Sequence, residues 1–393
     1  MILKTLFVGV LGLAFCVNLS SAQYLHHYQS WYAYNGENPF QRREWNTKAL
    51  TPVREKSSQD NQKLRTFWAY ASTVSSKESN RVKNALLVKM DDNKTPNPFR
   101  VLWAKEYFQG DNADIFAIDV EDVYHYNAGR RSEYIMCGKV RRRSQGKTEG
   151  FLLRIRGSGA VLNFATYPTT SVLTSVVPTD DRRIGYVAVG KTIRVPSGND
   201  NIEATRDAVY MYVNTNLVPR CLRALRGEFE DDLVGDEGVE SGFNKVIRYK
   251  NPNSNSPGYD YAVVGTTTVN PGDTCREDSD VVVAVFGRFC SLQWVSQYGA
   301  GLQQTSAGQS IISETGKSIA QTIEGDLVIT GNTFNVVECQ QRVWDDVLVF
   351  MIRDFNVAWW YRYDVLSNTD VFGVSIIMVL GGRDKMFLPN SLL

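Results

Sequence analysis

The stretch "YAVVGTTTV" at Tyr261–Val269 reads as one strand, but its reading decides the fold because it is not alone. "YIMCGKV" (Tyr134–Val140), "YVAVGKT" (Tyr186–Thr192) and "LVITGNT" (Leu327–Thr333) nearly repeat it, and "FWAYAST" (Phe67–Thr73) is a fifth copy with Ala71 in the glycine position. A motif returning roughly every 50–75 residues calls for a repeat architecture. After each copy a polar residue opens an apolar run: Asn84 before "ALLVKM", Glu149 before "GFLLRIR", Asp207 before "AVYMYV", Asp280 before "VVVAVF" and Asp346 before "VLVFMI". Runs this short and this rich in Val, Leu and Ile suit strands covered on both faces rather than helices.

A third element follows each run, often carrying an aromatic pair four residues apart: Trp103 and Tyr107, Trp294 and Tyr298, Trp359 and Tyr363. "LNFATYP" (Leu162–Pro168) is a looser copy, and "CLRALRG" (Cys221–Gly227) has lost the aromatics. Ahead of each glycine strand lies a further candidate, at Lys48–Val53, Ile115–Val120, Ser171–Val177, Phe243–Tyr249 and Lys317–Ile323. Four strands per unit without a helical pattern predict an all-β, six-bladed β-propeller, with five blades as the alternative. "SWYAYNG" (Ser30–Gly36) reads as an outermost strand without its blade, and "VFGVSIIMVL" (Val371–Leu380) with "DKMFLPN" (Asp384–Asn390) reads as inner strands without outer partners. Joining the two termini in a shared last blade closes the ring and removes free sheet edges.

The pattern W-x-x-x-Y-G, loop, S-I-x-x-T, turn, V-x-G-x-T, loop, Asp and apolar run, clearest across Asp280–Ile352, resembles the repeats of secreted β-propeller proteins. The resemblance implies an extracellular surface or binding role and no particular activity, because one fold carries many functions.

Residues 1–22 have the layout of a signal peptide: Lys4, an apolar run from Leu6 to Val17, then Ser20 and Ala22. The expected mature chain is a single domain over residues 23–393, secreted, with no transmembrane segment. Lys+Arg 43 against Asp+Glu 42 leaves a net charge of +1, so no global field draws the chain to nucleic acid. The expected partners are extracellular proteins or glycans, and oligomers are compatible with the sequence.

Features present in every unit read as scaffold. The repeated polar residues are expected to accept hydrogen bonds from their own loops, the glycines to allow a bulge or close backbone approach, and the Trp/Tyr pairs to pack units together. Candidate sites therefore lie where units differ. Asp231, Asp232, Asp236 and Glu237 crowd the acidic stretch Gly227–Gly242 and are candidate calcium ligands, although no EF-hand pattern is present; no other cofactor is expected. Arg141, Arg142 and Arg143 are candidates for contact with acidic glycans. Only His26, His27 and His125 are available for a metal centre or a triad, which argues against both. Cys137 reads as a small buried hydrophobe, while Cys275 with Cys339 and Cys221 with Cys290 occupy corresponding loops and are candidate disulfides. Asn93 heads the sequon "NKT".

The expectation is a non-catalytic extracellular binding, adhesion or assembly module. The alternatives are a secreted glycan-active hydrolase or lyase using carboxylates such as Asp119, Glu121, Asp122 or Glu324 near a central channel, and a subunit of an extracellular filament or coat.

Overall fold

The structure is a computed structural model that describes residues 46–56, 64–75, 82–91, 100–107, 112–123, 133–179, 185–192, 207–225, 240–251, 258–269, 278–287, 289–299, 302–305, 308–337 and 340–363. Among them every regular element is a strand. Sheet A comprises β1 (Asn46–Lys56), β2 (Leu64–Ser75), β3 (Lys83–Asp91) and β4 (Arg100–Tyr107). Sheet B comprises β5 (Ala113–Val123), β6 (Glu133–Arg142), β7 (Lys147–Arg156) and β8 (Val161–Tyr167). Sheet C comprises β9 (Thr170–Pro178), β10 (Tyr186–Thr192), β11 (Ala208–Val213) and β12 (Pro219–Leu225), and sheet D comprises β13 (Glu240–Tyr249), β14 (Asp260–Val269), β15 (Asp278–Phe286) and β16 (Leu292–Tyr298). Sheet E adds a short strand, β17 (Leu302–Thr305), before β18 (Gly308–Gln321), β19 (Leu327–Val337), β20 (Gln340–Arg353) and β21 (Asn356–Tyr363). Each sheet is an antiparallel meander in chain order.

The sheets stack in sequence, and the first strand of each makes the joint. β5 packs on β1, β2 and β3; β9 on β5, β6 and β7; β13 on β9, β10 and β11; and β18 on β13, β14 and β15. The apolar core is accordingly divided into slabs between neighbouring sheets. Ala71 and Leu87 meet Ile115 and Met136 between A and B, whereas Ile135 and Leu152 meet Val176 and Met211 between B and C. Val281–Phe286 has Val282, Ala284 and Phe286 in the C/D slab and Val281, Val283 and Val285 in the D/E slab. Its unalternating sequence follows from that: both faces are covered, so no position needs to be polar.

Register explains the repeated glycine. In sheets B to E the first strand carries a β-bulge at the same place, with Ile118, Thr174, Asn244 and Lys317 as the extra residues, and Gly138, Gly190, Gly265 and Gly331 pair with the residue just before each. A Cβ on these glycines would overlap the carbonyl oxygens of Phe116, Val172, Gly242 and Thr315 respectively. Glycine is thus selected by close approach of the bulged backbone. Sheet A has Ala71 instead, and its bulge moves one step, to Lys48 between the pairs Thr47/Ser72 and Ala49/Ala71. Added bulk at the crossing is matched by a displaced bulge.

Among the described residues no helix is long and apolar enough to cross a membrane. The expected signal peptide, and the terminal segments around Trp31 and Ile376 expected to share a sheet, lie outside the described residues.

Candidate functional site

Among the described residues the bulges also gather a cluster of charges around the buried Asp119. A bulge re-aims the side chains after it, and the residues following the bulges in sheets B, C and D are Asp119, Ser175 and Lys245. The three converge although up to 126 residues separate them: Lys245 Nζ donates to Asp119 Oδ2 at 2.8 Å, Ser175 Oγ donates to the same oxygen at 2.7 Å, and the Val176 amide adds a third bond at 3.2 Å. Glu121, two residues along β5 and so on the same face, places Oε1 3.8 Å from Lys245 Nζ. The Asp119 side chain is 8 % exposed, against 26 % for Lys245 and 29 % for Glu121, so the cluster is closed at the aspartate and open toward solvent on the other side.

The electrostatics make this cluster a clamp. Burial alone would depress the lysine, but the charges of Asp119 and Glu121 and the bond to Asp119 outweigh it and hold Lys245 above the ordinary lysine value. It is therefore an ammonium at physiological pH and unsuited to act as a base or amine nucleophile. Cys137, paired with Asp119 across the sheet and fully buried, is raised well above the usual thiol value, first by burial and then by the Asp119 charge. A protonated, inaccessible thiol is inert, in keeping with its reading as a small hydrophobe. With three donors on Asp119 Oδ2, that oxygen is committed to joining β5, β9 and β13.

The bulged residues extend the same joint. Thr174 Oγ1 donates to the Phe243 carbonyl at 2.6 Å and Asn244 Nδ2 donates to the Gly316 carbonyl at 2.6 Å, linking each first strand to the next.

At the rim, the Trp-x-x-x-Tyr strands act as latches onto the next sheet's hairpin between third and fourth strands. Trp103 Nε1 donates to Gly157 O at 3.1 Å and Tyr107 Oη to Gly159 O at 3.0 Å, from A to B. Tyr167 Oη donates to Leu217 O at 2.8 Å, from B to C. Tyr298 Oη reaches Phe355 O at 3.4 Å while Trp294 packs on the Phe355 ring at 4.7 Å between centroids, from D to E. Each residue that receives a tyrosine hydroxyl has positive φ: Gly159 at 80°, Leu217 at 63° and Phe355 at 65°. Leucine and phenylalanine are strained there, and the latch helps hold them. At the C/D joint, where β12 lacks the aromatics, a disulfide joins Cys221 to Cys290, the residue at φ 59° in the corresponding hairpin. It closes a separation of 69 residues, worth about 4 kcal/mol in the chain-entropy account.

The other sequence candidates fare unequally. Arg142 pairs with Glu149 at 3.2 Å and Arg143 with Asp114 at 2.6 Å, so two of the three arginines are engaged within sheet B, and Arg141 is exposed beside them. Burial would raise Asp114, yet the bonds from Arg143 and the Lys83 amide keep it below the ordinary carboxylate value. Glu149 was expected to bond its own loop's backbone; its partner is instead the Arg142 guanidinium. Asp280 and Asp346 likewise hold fourth-strand side chains, Gln297 and Arg362. Glu324 is exposed, with its charge acting on Arg353. Asp231, Asp232, Asp236, Glu237, Cys275, Cys339, Asn93 and the three histidines lie outside the described residues. Among the described residues no group of three or more His, Cys, Asp or Glu side chains is placed to hold a metal ion.

Sequence reasoning listed Asp119 but missed Lys245 and Ser175. Aligning "AIDV" (Ala117–Val120), "LTSV" (Leu173–Val176) and "FNKV" (Phe243–Val246) on the residue after each bulge would have found them. The chain matches no protein-family model, and no curated protein matches it.

Proposed function

We propose that the chain is an exported, non-catalytic binding module built as a closed six-bladed propeller, which presents loops and outer strands to an extracellular protein or glycan. The observation that carries the reading is the fate of the repeated and buried polar groups: Asp119, Ser175 and Lys245 at the centre, and Trp103, Tyr107, Tyr167 and Tyr298 at the rim, are spent on joints between sheets. What differs among the sheets is left to loops, where a rigid scaffold ordinarily carries recognition.

Closure is supported by the two ends of the stack. On sheet A the face turned away from sheet B is buried at Tyr70, Val74, Leu86, Val88 and Met90. On sheet E the residues alternating with the D/E slab, Ala320, Val328 and Met351, are also buried. Burial at both ends is what a sixth sheet between A and E, supplied by the two termini, would produce. The glycan-active alternative draws less support, since Asp119 Oδ2 is occupied by three donors within the joint.

The test is a glycan and cation binding screen on the secreted protein, run beside a form lacking Gly227–Gly242 and an Arg141→Ala form. Binding that is lost with either alteration supports loop-borne recognition. Turnover of a glycan abolished by Asp119→Asn would replace this reading with the enzymatic one.

A further inference from the structure

The four joints between described sheets are latched alike, except one. Tyr107, Tyr167 and Tyr298 hold the A/B, B/C and D/E joints by hydrogen bonds that no reductant touches. At the C/D joint the tyrosine position is Leu225: it pairs with Ala208 as Tyr107 pairs with Ala85 and Tyr167 with Gly150. The receiving position is Cys290, equivalent to Gly159 and Leu217 in five-residue hairpins closed by matching backbone bonds, Gly287 to Ser291, Arg156 to Ala160 and Asn214 to Val218. The Cys221–Cys290 bond therefore starts from the position that Trp103 and Trp294 hold in their strands and ends on the residue that receives a tyrosine hydroxyl elsewhere. The further bond onto this hairpin, from Tyr210 Oη to Gly287 O, is 3.5 Å long, at the limit of a hydrogen bond.

We infer that this joint is a redox-responsive seam. An external dithiol attacks one sulfur; the S–S bond is exchanged through a mixed disulfide, two electrons and two protons arrive at Cys221 and Cys290 as thiols, and the dithiol leaves as its own disulfide. Hairpin Gly287–Ser291 then loses its covalent tie to β12, while the other joints keep their latches. Phe289, 71 % exposed at the hairpin tip, stands edge-on to the Tyr212 ring with centroids 6.1 Å apart, a contact to sheet C that does not depend on the disulfide. Reduction would thus open one chosen rim segment, next to the stacked Tyr210 and Phe286 rings, and leave the stack of sheets standing.

The experiment is hydrogen–deuterium exchange on the full chain, oxidised and dithiol-treated, beside a Cys221→Ser/Cys290→Ser variant that isolates this bond from other cysteines. Amides of residues 287–291 and of β12 should exchange roughly tenfold faster in the variant and the reduced protein, with the hairpins at 156–160 and 214–218 unchanged. Adding Leu225→Tyr to the variant should restore protection, because the new hydroxyl can reach the Cys290 position's carbonyl as its counterparts do. Equal protection with and without the bond, or equal loss at all the joints, overturns the inference.

Discussion

Gly331→Ala puts the account of the repeat to its hardest trial. The added Cβ would meet Thr315 O, with Thr315 C at 2.9 Å and Gly316 Cα at 3.3 Å, all of them backbone atoms that cannot rotate aside. Restoring ordinary contact requires the bulged strand to retreat by roughly 1 Å. That segment is held by the Gly316/Gly331 pair, by the Asn244 bond to Gly316 O and by the packing of Gly316 against Val264. Overpacking with a backbone shift costs about 1–3 kcal/mol, and we expect the upper end because the D/E joint passes through the same residue. The control is Ala71→Gly in sheet A, where the bulge is displaced; there the cost should be about 1 kcal/mol or less, from backbone entropy. Urea unfolding followed by tryptophan fluorescence reads both, with an unchanged m-value as the condition for comparison. A Gly331→Ala protein within about 0.5 kcal/mol of the parent would refute the close-approach explanation.

Other outcomes follow from the joints. Tyr167→Phe removes the hydroxyl but keeps the ring, so it should lose about 1–2 kcal/mol, the cost of the buried Leu217 carbonyl left unpaired; an unchanged unfolding midpoint would show the latch to be idle. Lys245→Met should destabilise by about 2–4 kcal/mol by leaving Asp119 buried without its counter-charge, and Lys245→Met with Asp119→Asn should recover part of that loss; additive losses in the double variant would deny the coupling. Burial lifts Asp280 above the ordinary carboxylate value against the opposing bond from Gln297. A raised carboxyl favours the folded state while protonated, so its contribution is present at low pH and is lost as pH rises through the folded value. Asp280→Asn should accordingly match the parent in acid and become the more stable of the two as pH climbs to neutrality; the reverse order would contradict the burial argument.

The parts of this molecule legible from sequence are those fixed by local packing. Gly138, Gly190, Gly265 and Gly331 repeat because one backbone geometry repeats, and "VVVAVF" betrays burial on both faces. The candidate pair Cys221–Cys290 was legible because both lie at the third-to-fourth-strand end of consecutive units, although Cys221 sits in β12 rather than in the hairpin that corresponds to that of Cys290. Less legible was anything that depends on which side chains a bulge turns together. Asp119 and Lys245 share only their place after a bulge, and it is the register of two different sheets that brings their charges within 2.8 Å. The partner of Glu149 was misread for a related reason: a long acid can reach a guanidinium on the adjacent strand, and that charge-assisted bond is stronger than one to a loop amide. Ala71 was correctly aligned with the glycines, yet nothing in "FWAYAST" announces that its bulge has moved by one residue.

The most direct test of the proposed closed ring is a pair of distances between spin labels placed at equivalent positions of the fourth strands: the exposed Lys105 in sheet A, the half-buried Arg223 in sheet C and the exposed Tyr361 in sheet E. In a six-membered ring, sheets C and E stand equally far round from A, so the Lys105–Arg223 and Lys105–Tyr361 distances should agree. A five-membered ring makes the second distance clearly the shorter. An open stack makes it clearly the longer, and that result would contradict closure by the chain's two ends.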